Sequence, residues 1–197
     1  MLAWKFFAPG AVAPFTGIHW PLPGKAWVEA RSKPGPGVHA CALEDLPYWI
    51  DQELWVVELD GEVARARRQL VATRGRLVAR MDEWPAAQAE FTGACIGRTR
   101  RRVVDALLAA GRDNEAALLS GPRDPEAERQ TALSIAASGP SYVGYVADVI
   151  RRRPYPGTCA YMAANAAAAI GNGRGHDQER AEQAAWFSAR FKLGHPR

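Results

Sequence analysis

Leu54-Trp55-Val56-Val57-Glu58-Leu59-Asp60-Gly61-Glu62-Val63 is the stretch on which the fold class turns. Its first six residues are mostly β-branched, aromatic or leucine, a composition that suits a pleated, half-buried surface. Asp60-Gly61 tolerates the positive φ angles of a tight turn, so the reading is a hairpin with Glu62-Val63 beginning the return strand.

Working outward toward the N-terminus, residues Ala3 to Pro36 carry Trp4, Phe6, Phe7, Phe15, Trp20 and Trp27 among many glycines and prolines. Short strands joined by tight turns fit this better than helices. Pro34-Gly35-Pro36-Gly37 reads as a turn. Val38-His39-Ala40-Cys41-Ala42-Leu43 follows as a strand in which Val38, Ala40 and Ala42 face one side and His39 and Cys41 the other. Glu44-Asp45-Leu46-Pro47-Tyr48-Trp49-Ile50 then suits a brief helical turn.

Toward the C-terminus, Leu70-Val71-Ala72-Thr73 and Leu77-Val78-Ala79 read as strands broken at Gly75, with Arg74 and Arg76 keeping one face wet. From about Pro85 alanine and leucine dominate, which favours helices. The segments are Ala86 to Ala110, Pro125 to Ser138 with Asp124 as N-cap, Ser141 to Arg152, Thr158 to Ile170 closed by Gly171, and Asp177 to Leu193. Loops at Gly121-Pro122 and Gly171 to Gly175 separate them. The small side chains of Tyr161 to Ala169 place that helix in the middle of its layer. In the last helix Ala185, Trp186, Ala189 and Leu193 are assigned to the core and the charges to the outside. The fold class expected is α+β: an aromatic-rich, mostly antiparallel N-terminal sheet packed against an alanine-rich C-terminal helical layer. It is read as a single domain over 1–197, β-rich over 1–84 and helical over 85–197.

Composition bounds the function classes. The chain has 197 residues, 48% of them hydrophobic and 23% charged, ordinary values for a folded globular protein. No stretch approaches the roughly 20 uninterrupted apolar residues of a membrane span. Met1-Leu2-Ala3-Trp4-Lys5-Phe6-Phe7 lacks the basic region and cleavage site of a secretory signal. Cys41, Cys95 and Cys159 are odd in number and show no paired metal spacing. Together these point to a cytoplasmic protein with no membrane partner. A net charge of +4 is mild for this length, and the arginines sit in separate groups, so nucleic acid is left open without being indicated.

Gly37-Val38-His39-Ala40-Cys41, Leu46-Pro47-Tyr48-Trp49, Glu53 to Glu62 and Glu179-Arg180-Ala181-Glu182-Gln183-Ala184-Ala185-Trp186 together resemble an uncharacterised family of actinobacterial proteins. The first half is also similar to a small phage and bacterial domain in which a Gly-hydrophobic-His-Ala-Cys segment follows an aromatic strand. The resemblance offers no catalytic residues to carry over.

Candidate site residues come from the chemistry of the side chains. An imidazole beside a thiol can activate a nucleophile, which singles out His39 and Cys41, although a buried cysteine and a hydrogen-bonded histidine also serve packing. Glu58 is the carboxylate that interrupts an apolar strand, as a general acid or base or as the strand's outward position. Six of the seven tryptophans lie in the first 84 residues, and a small sheet has limited room for them, so Trp20 and Trp55, with His19 beside Trp20, are assigned to a ligand pocket. Arg98, Arg100, Arg101 and Arg102 read as a solvated helix face, or else as a phosphate or nucleic-acid contact. His176, Asp177 and His195 show no metal-ligand spacing, no metal is assigned, and Walker, GxGxxG, GxSxG and HExxH motifs are missing. The functional expectation is a small-molecule-binding protein, with or without catalysis, whose aromatic-lined pocket lies between sheet and helices. The alternatives are a protein- or nucleic-acid-interaction module of bacterial conflict or phage biology and, by fold analogy alone, an NAD-using transferase. Ligand, cofactor and oligomeric state stay unassigned.

Overall fold

The computed structural model describes residues 1–24, 26–30, 37–121, 124–171 and 173–194. Pro34 to Pro36 of the expected turn, Pro122, Asn172 and His195 lie outside them. The fold is α+β, with an antiparallel sheet in the N-terminal part and helices through the C-terminal part. The chain is organised in two compact units: Met1–Ala87 together with Ala184–Arg197, and Gln88–Gln183. The change from strands to helices expected at residue 84 falls where the first α-helix begins, at Trp84. The return of the last residues to the N-terminal unit was not anticipated.

In the first unit β1 (Leu2–Phe7), β2 (Val28–Glu29), β3 (Val38–Ala40), β4 (Glu53–Ala66) and β5 (Gln69–Arg80) form one antiparallel sheet in the order β1-β4-β5-β2, with β3 also on β5. A two-way backbone bridge joins Trp4 of β1 to Cys41, just past β3, with Trp4 N–H to Cys41 O at 3.1 Å and the reverse bond at 2.6 Å. The path β1-β4-β5-β3 therefore returns to β1 and the sheet curls into a ring. Inside it lie Ala3, Phe7, Trp20, Val38, Ala40, Trp55, Val57, Leu59 and Leu77. Both faces of β1 are buried, which explains why it is apolar at every position but Lys5. Its other face carries Phe6, whose ring lies 5.4 Å from that of Trp84 and 5.9 Å from that of Phe187, the latter contributed by the returning C-terminal segment.

The hairpin exists, but its turn is elsewhere. β4 runs on through Asp60-Gly61 and the chain reverses at Arg67-Arg68. Gly61 does adopt a positive φ of 78°, yet it serves a register shift between Asp60 and Val63, where a Cβ would sit 2.7 Å from Thr73 Cβ. The backbone freedom read from Asp-Gly is used for a bulge that bends a long strand. Gly75 likewise does not break β5. It pairs with Val28 on one side and Leu59 on the other, and a Cβ there would meet Val38 Cγ1 at 2.8 Å, so it is a close-approach glycine within a continuous strand. Arg74 and Arg76, as expected, stay partly exposed. Their guanidinium groups lie over Trp27, 4.8 and 4.7 Å from the ring centroid, while pairing with Asp60 and Glu58.

The second unit is helical. α1 (Trp84–Ala109) enters it from the first unit, and α2 (Asp113–Ser120), α3 (Pro125–Ser138), α4 (Gly144–Arg151), α5 (Pro156–Ile170) and the start of α6 (Gly175–Phe191) complete it. α3 has the bounds read from sequence, and Asp124 caps it by accepting the Ala127 N–H at 2.9 Å. α2 was missed because its eight residues carry neither an N-cap side chain nor a wide apolar stripe. Val103, Leu107, Leu119, Ala132, Val143 and Val146 share one core, and α5 is lined with buried alanines as expected.

The face assigned to α6 is wrong. Glu179, Arg180, Gln183, Ala184 and Phe187 are buried, whereas Ala185 and Ala189 are exposed. The assignment placed every charge outside, and here two charges go in with their partners. Glu179, fully buried, accepts hydrogen bonds from Arg98 Nε and Nη2 at 3.0 and 2.9 Å, from Gln183 Nε2 at 2.9 Å, and from Arg102 Nη1. The middle arginine group is thus neither a solvated face nor a phosphate contact throughout. Arg98 and Arg102 are structural cations, Arg100 pairs with Glu128 at 3.6 Å, and Arg101 alone of the four is exposed.

Candidate functional site

Past the Trp4–Cys41 bridge no further β1–β3 ladder forms among the described residues. There the ring holds a hollow of about 650 Å³, walled by Lys5 and Phe6 of β1, the turn-rich segment from Ala13 to Trp20, β3 with Cys41, and Trp49. All of its lining belongs to the first unit. The hollow is therefore not the sheet-to-helix-layer pocket expected from sequence.

Three of the residues singled out from sequence meet here. Trp20, His39 and Cys41 all line the hollow, as their positions in the aromatic segment and the short strand imply. The other three stand elsewhere. His19 is exposed and engages Val12 through its backbone. Trp55 is buried in the ring core with its indole N–H on Glu53 Oε2 at 3.0 Å, and Glu58 is occupied by Arg76 at 2.6 Å. Glu53 has a structural task as well. It accepts the amides of Gly10 and Ala11 at 3.0 and 3.1 Å, fixing the loop where Ala11 takes a φ of 56°. Burial pushes its carboxyl up, but the Trp55, Gly10 and Ala11 donors and Arg80 outweigh this and hold it below the usual range.

Lys5 also lines the hollow and is not among the residues singled out from the sequence. In Leu-Ala-Trp-Lys-Phe-Phe it is the one charge in an apolar strand, and alternation puts it on the core side with Ala3 and Phe7. That pattern was the available signal. Its Nζ donates to the His39 carbonyl oxygen at 2.8 Å, taking the place of the absent ladder bond, and sits 5.3 and 5.7 Å from the ring centroids of Phe7 and Trp20. Burial lowers its pKa, and Cys41 offsets this in part.

Cys41 does not have the character of a thiolate nucleophile. Burial pushes its thiol up to about 12, Lys5 opposing and Asp45 adding to the shift. At neutral pH such a thiol is ionised in about one molecule in 10⁵, which removes the advantage a neighbouring imidazole would supply. Its folded pKa lies above the ordinary value of 9.0, so between pH 9 and 12 the folded state keeps a proton that the unfolded state has released, and stability falls as pH rises. Cys41→Ala is expected to remove up to about 1.4 kcal/mol per pH unit from the alkaline slope of stability. Urea denaturation of both proteins between pH 9 and 10.5 checks this, and equal slopes would refute it. The imidazole of His39 is left with Nδ1 buried and without a hydrogen-bond partner among the described residues.

Among the described residues no group of three or more His, Cys, Asp or Glu side chains is placed to hold a metal, and no helix is long and apolar enough to cross a membrane. Compared with protein families, with curated proteins and with solved structures, the chain matches none.

Proposed function

We propose that this chain is a small-molecule-binding protein whose first unit takes a flat, mostly apolar ligand into the ring hollow beside Trp20. The observation that carries this reading is the hollow itself: at about 650 Å³ it falls within the roughly 300–1,000 Å³ of ordinary ligand sites, and its apolar wall is interrupted by few polar groups. A rim aromatic supports it. Phe15 leaves 83% of its surface exposed, with its ring edge-on to Trp49 at 5.8 Å, where it contributes little to the core and would cover a bound ring. Catalysis is not part of the proposal, since the thiol beside His39 is held protonated and Glu58 is paired away from the hollow.

The test is ligand-observed NMR and thermal shift of the full chain with a panel of two-ring aromatic compounds. Binding in the hollow is expected to raise Tm with ligand concentration, and Phe15→Ala, which removes an exposed side chain, is expected to weaken it roughly tenfold. A panel that neither binds nor shifts Tm would eliminate the reading.

A further inference from the structure

Lys5 is a cation placed where the fold gains little from one. It lies against two aromatic rings, makes one hydrogen bond, to a main-chain oxygen, and faces no carboxylate within ion-pair distance among the described residues. Of the other titratable groups on the wall, Cys41 holds its proton, and Glu29 stands exposed at the rim with its carboxylate 4.0 Å from Arg74. His39 contributes its carbonyl oxygen to Lys5, and its ring Nδ1 is unpartnered among the described residues.

The choice of residue is informative too. Only four of the chain's 25 basic residues are lysine, and the long basic side chains that pair with carboxylates among the described residues are arginines. A compact ammonium on a flexible stem brings fewer donors to an apolar wall than a guanidinium does, so fewer are left unpaired there.

We propose that the ligand of the hollow carries a carboxylate that pairs with the Lys5 ammonium while its flat body lies against Trp20; this rests on the hollow being a ligand site. The anion returns to Lys5 the counter-charge that the protein withholds, in a setting shielded from water where such a pair is stronger than at a surface. Burial alone holds the Lys5 pKa below its usual range, and an anion beside it reverses that shift. Neutral ligands of the same shape obtain the apolar contact and lose the pairing.

Isothermal titration of the full chain with naphthalene-2-carboxylate and with naphthalene-2-carboxamide separates these contributions. The acid is expected to bind wild-type protein about tenfold more tightly than the amide or better, the size of one charge-assisted hydrogen bond. Lys5→Met is expected to bind both at the level of the amide, and Lys5→Arg to keep the preference for the acid. A lysine that only props β1 against β3 would give no such discrimination. Equal binding of acid and amide to wild-type protein overturns the carboxylate proposal and leaves the ligand site standing, as does a preference that survives in Lys5→Met. If neither compound binds, the ligand-site reading falls and the carboxylate with it. Should Lys5→Met not fold, the wild-type pair of compounds and Lys5→Arg decide the matter.

Discussion

Glu179→Ala is expected to destabilise the helical unit by about 3–5 kcal/mol, the cost of breaking a buried ion pair by removing one partner. The side chain is fully buried and takes bonds from two arginines and a glutamine, and Arg98 is itself only 9% exposed. Alanine at 179 strands the Arg98 guanidinium away from water, with the Cys95 sulfur at 3.4 Å and Glu182 at 3.4 Å as its remaining partners. Gln183 loses one of its two acceptors and keeps the Ala160 carbonyl at 3.0 Å. Because the penalty comes from the widowed charge, the double variant Arg98→Met, Glu179→Met is expected to lose less than Glu179→Ala alone. Urea denaturation followed by far-ultraviolet circular dichroism measures both. A loss below about 1 kcal/mol for Glu179→Ala would place this cluster with surface ion pairs instead.

Trp84→Ala is expected to cost the first unit a comparable 3–5 kcal/mol, the usual range for deleting a buried large aromatic. Trp84 is fully buried, with ring centroids 5.4 Å from Phe6, 5.3 Å from Phe187 and 6.4 Å from Phe191. Its indole N–H also donates to the Asp51 carbonyl at 2.8 Å, so the truncation opens a cavity and leaves that oxygen short of a donor. Trp84→Phe keeps most of the apolar contact and drops the bond, and is expected to cost about 1–2 kcal/mol less than alanine does. Near-ultraviolet circular dichroism and hydrogen exchange of the β1 amides report the loss. Unchanged exchange in Trp84→Ala would show that the aromatic cluster does not secure β1.

What was legible in the sequence was whatever a single segment decides. β-branched and aromatic runs marked β4 and β5, alternation put Val38, Ala40 and Ala42 on one face, which is the core face, and Asp124-Pro125 marked the start of α3. His39, Cys41 and Trp20, which line the hollow, stand out for the same reason: each needs only its neighbours to be noticed. Most of the misses depend on partners that the local sequence does not show. Asp60-Gly61 looks like a turn until Thr73 is seen opposite Gly61. Glu179 looks solvated until two arginines about 80 positions away meet it. Trp55 and Glu58 lost their assigned roles to Glu53 and Arg76, partners that strand pairing and local geometry select. Lys5 was passed over because one charge in an apolar strand looks like a tolerated exception, and its meaning depends on β3 failing to complete its ladder.

The first unit is assembled from two separated lengths of chain, and synthesis has a direction. A nascent polypeptide leaves the ribosome with β1 to β5 first, then all of the helical unit, and Phe187 only afterwards. Until then Phe6 and Trp84 have no Phe187 to close over them. The helical unit thus has its full complement of residues while the older, N-terminal sheet still waits for its last aromatic. During that interval the sheet is the part of the protein that most needs protection from wrong neighbours.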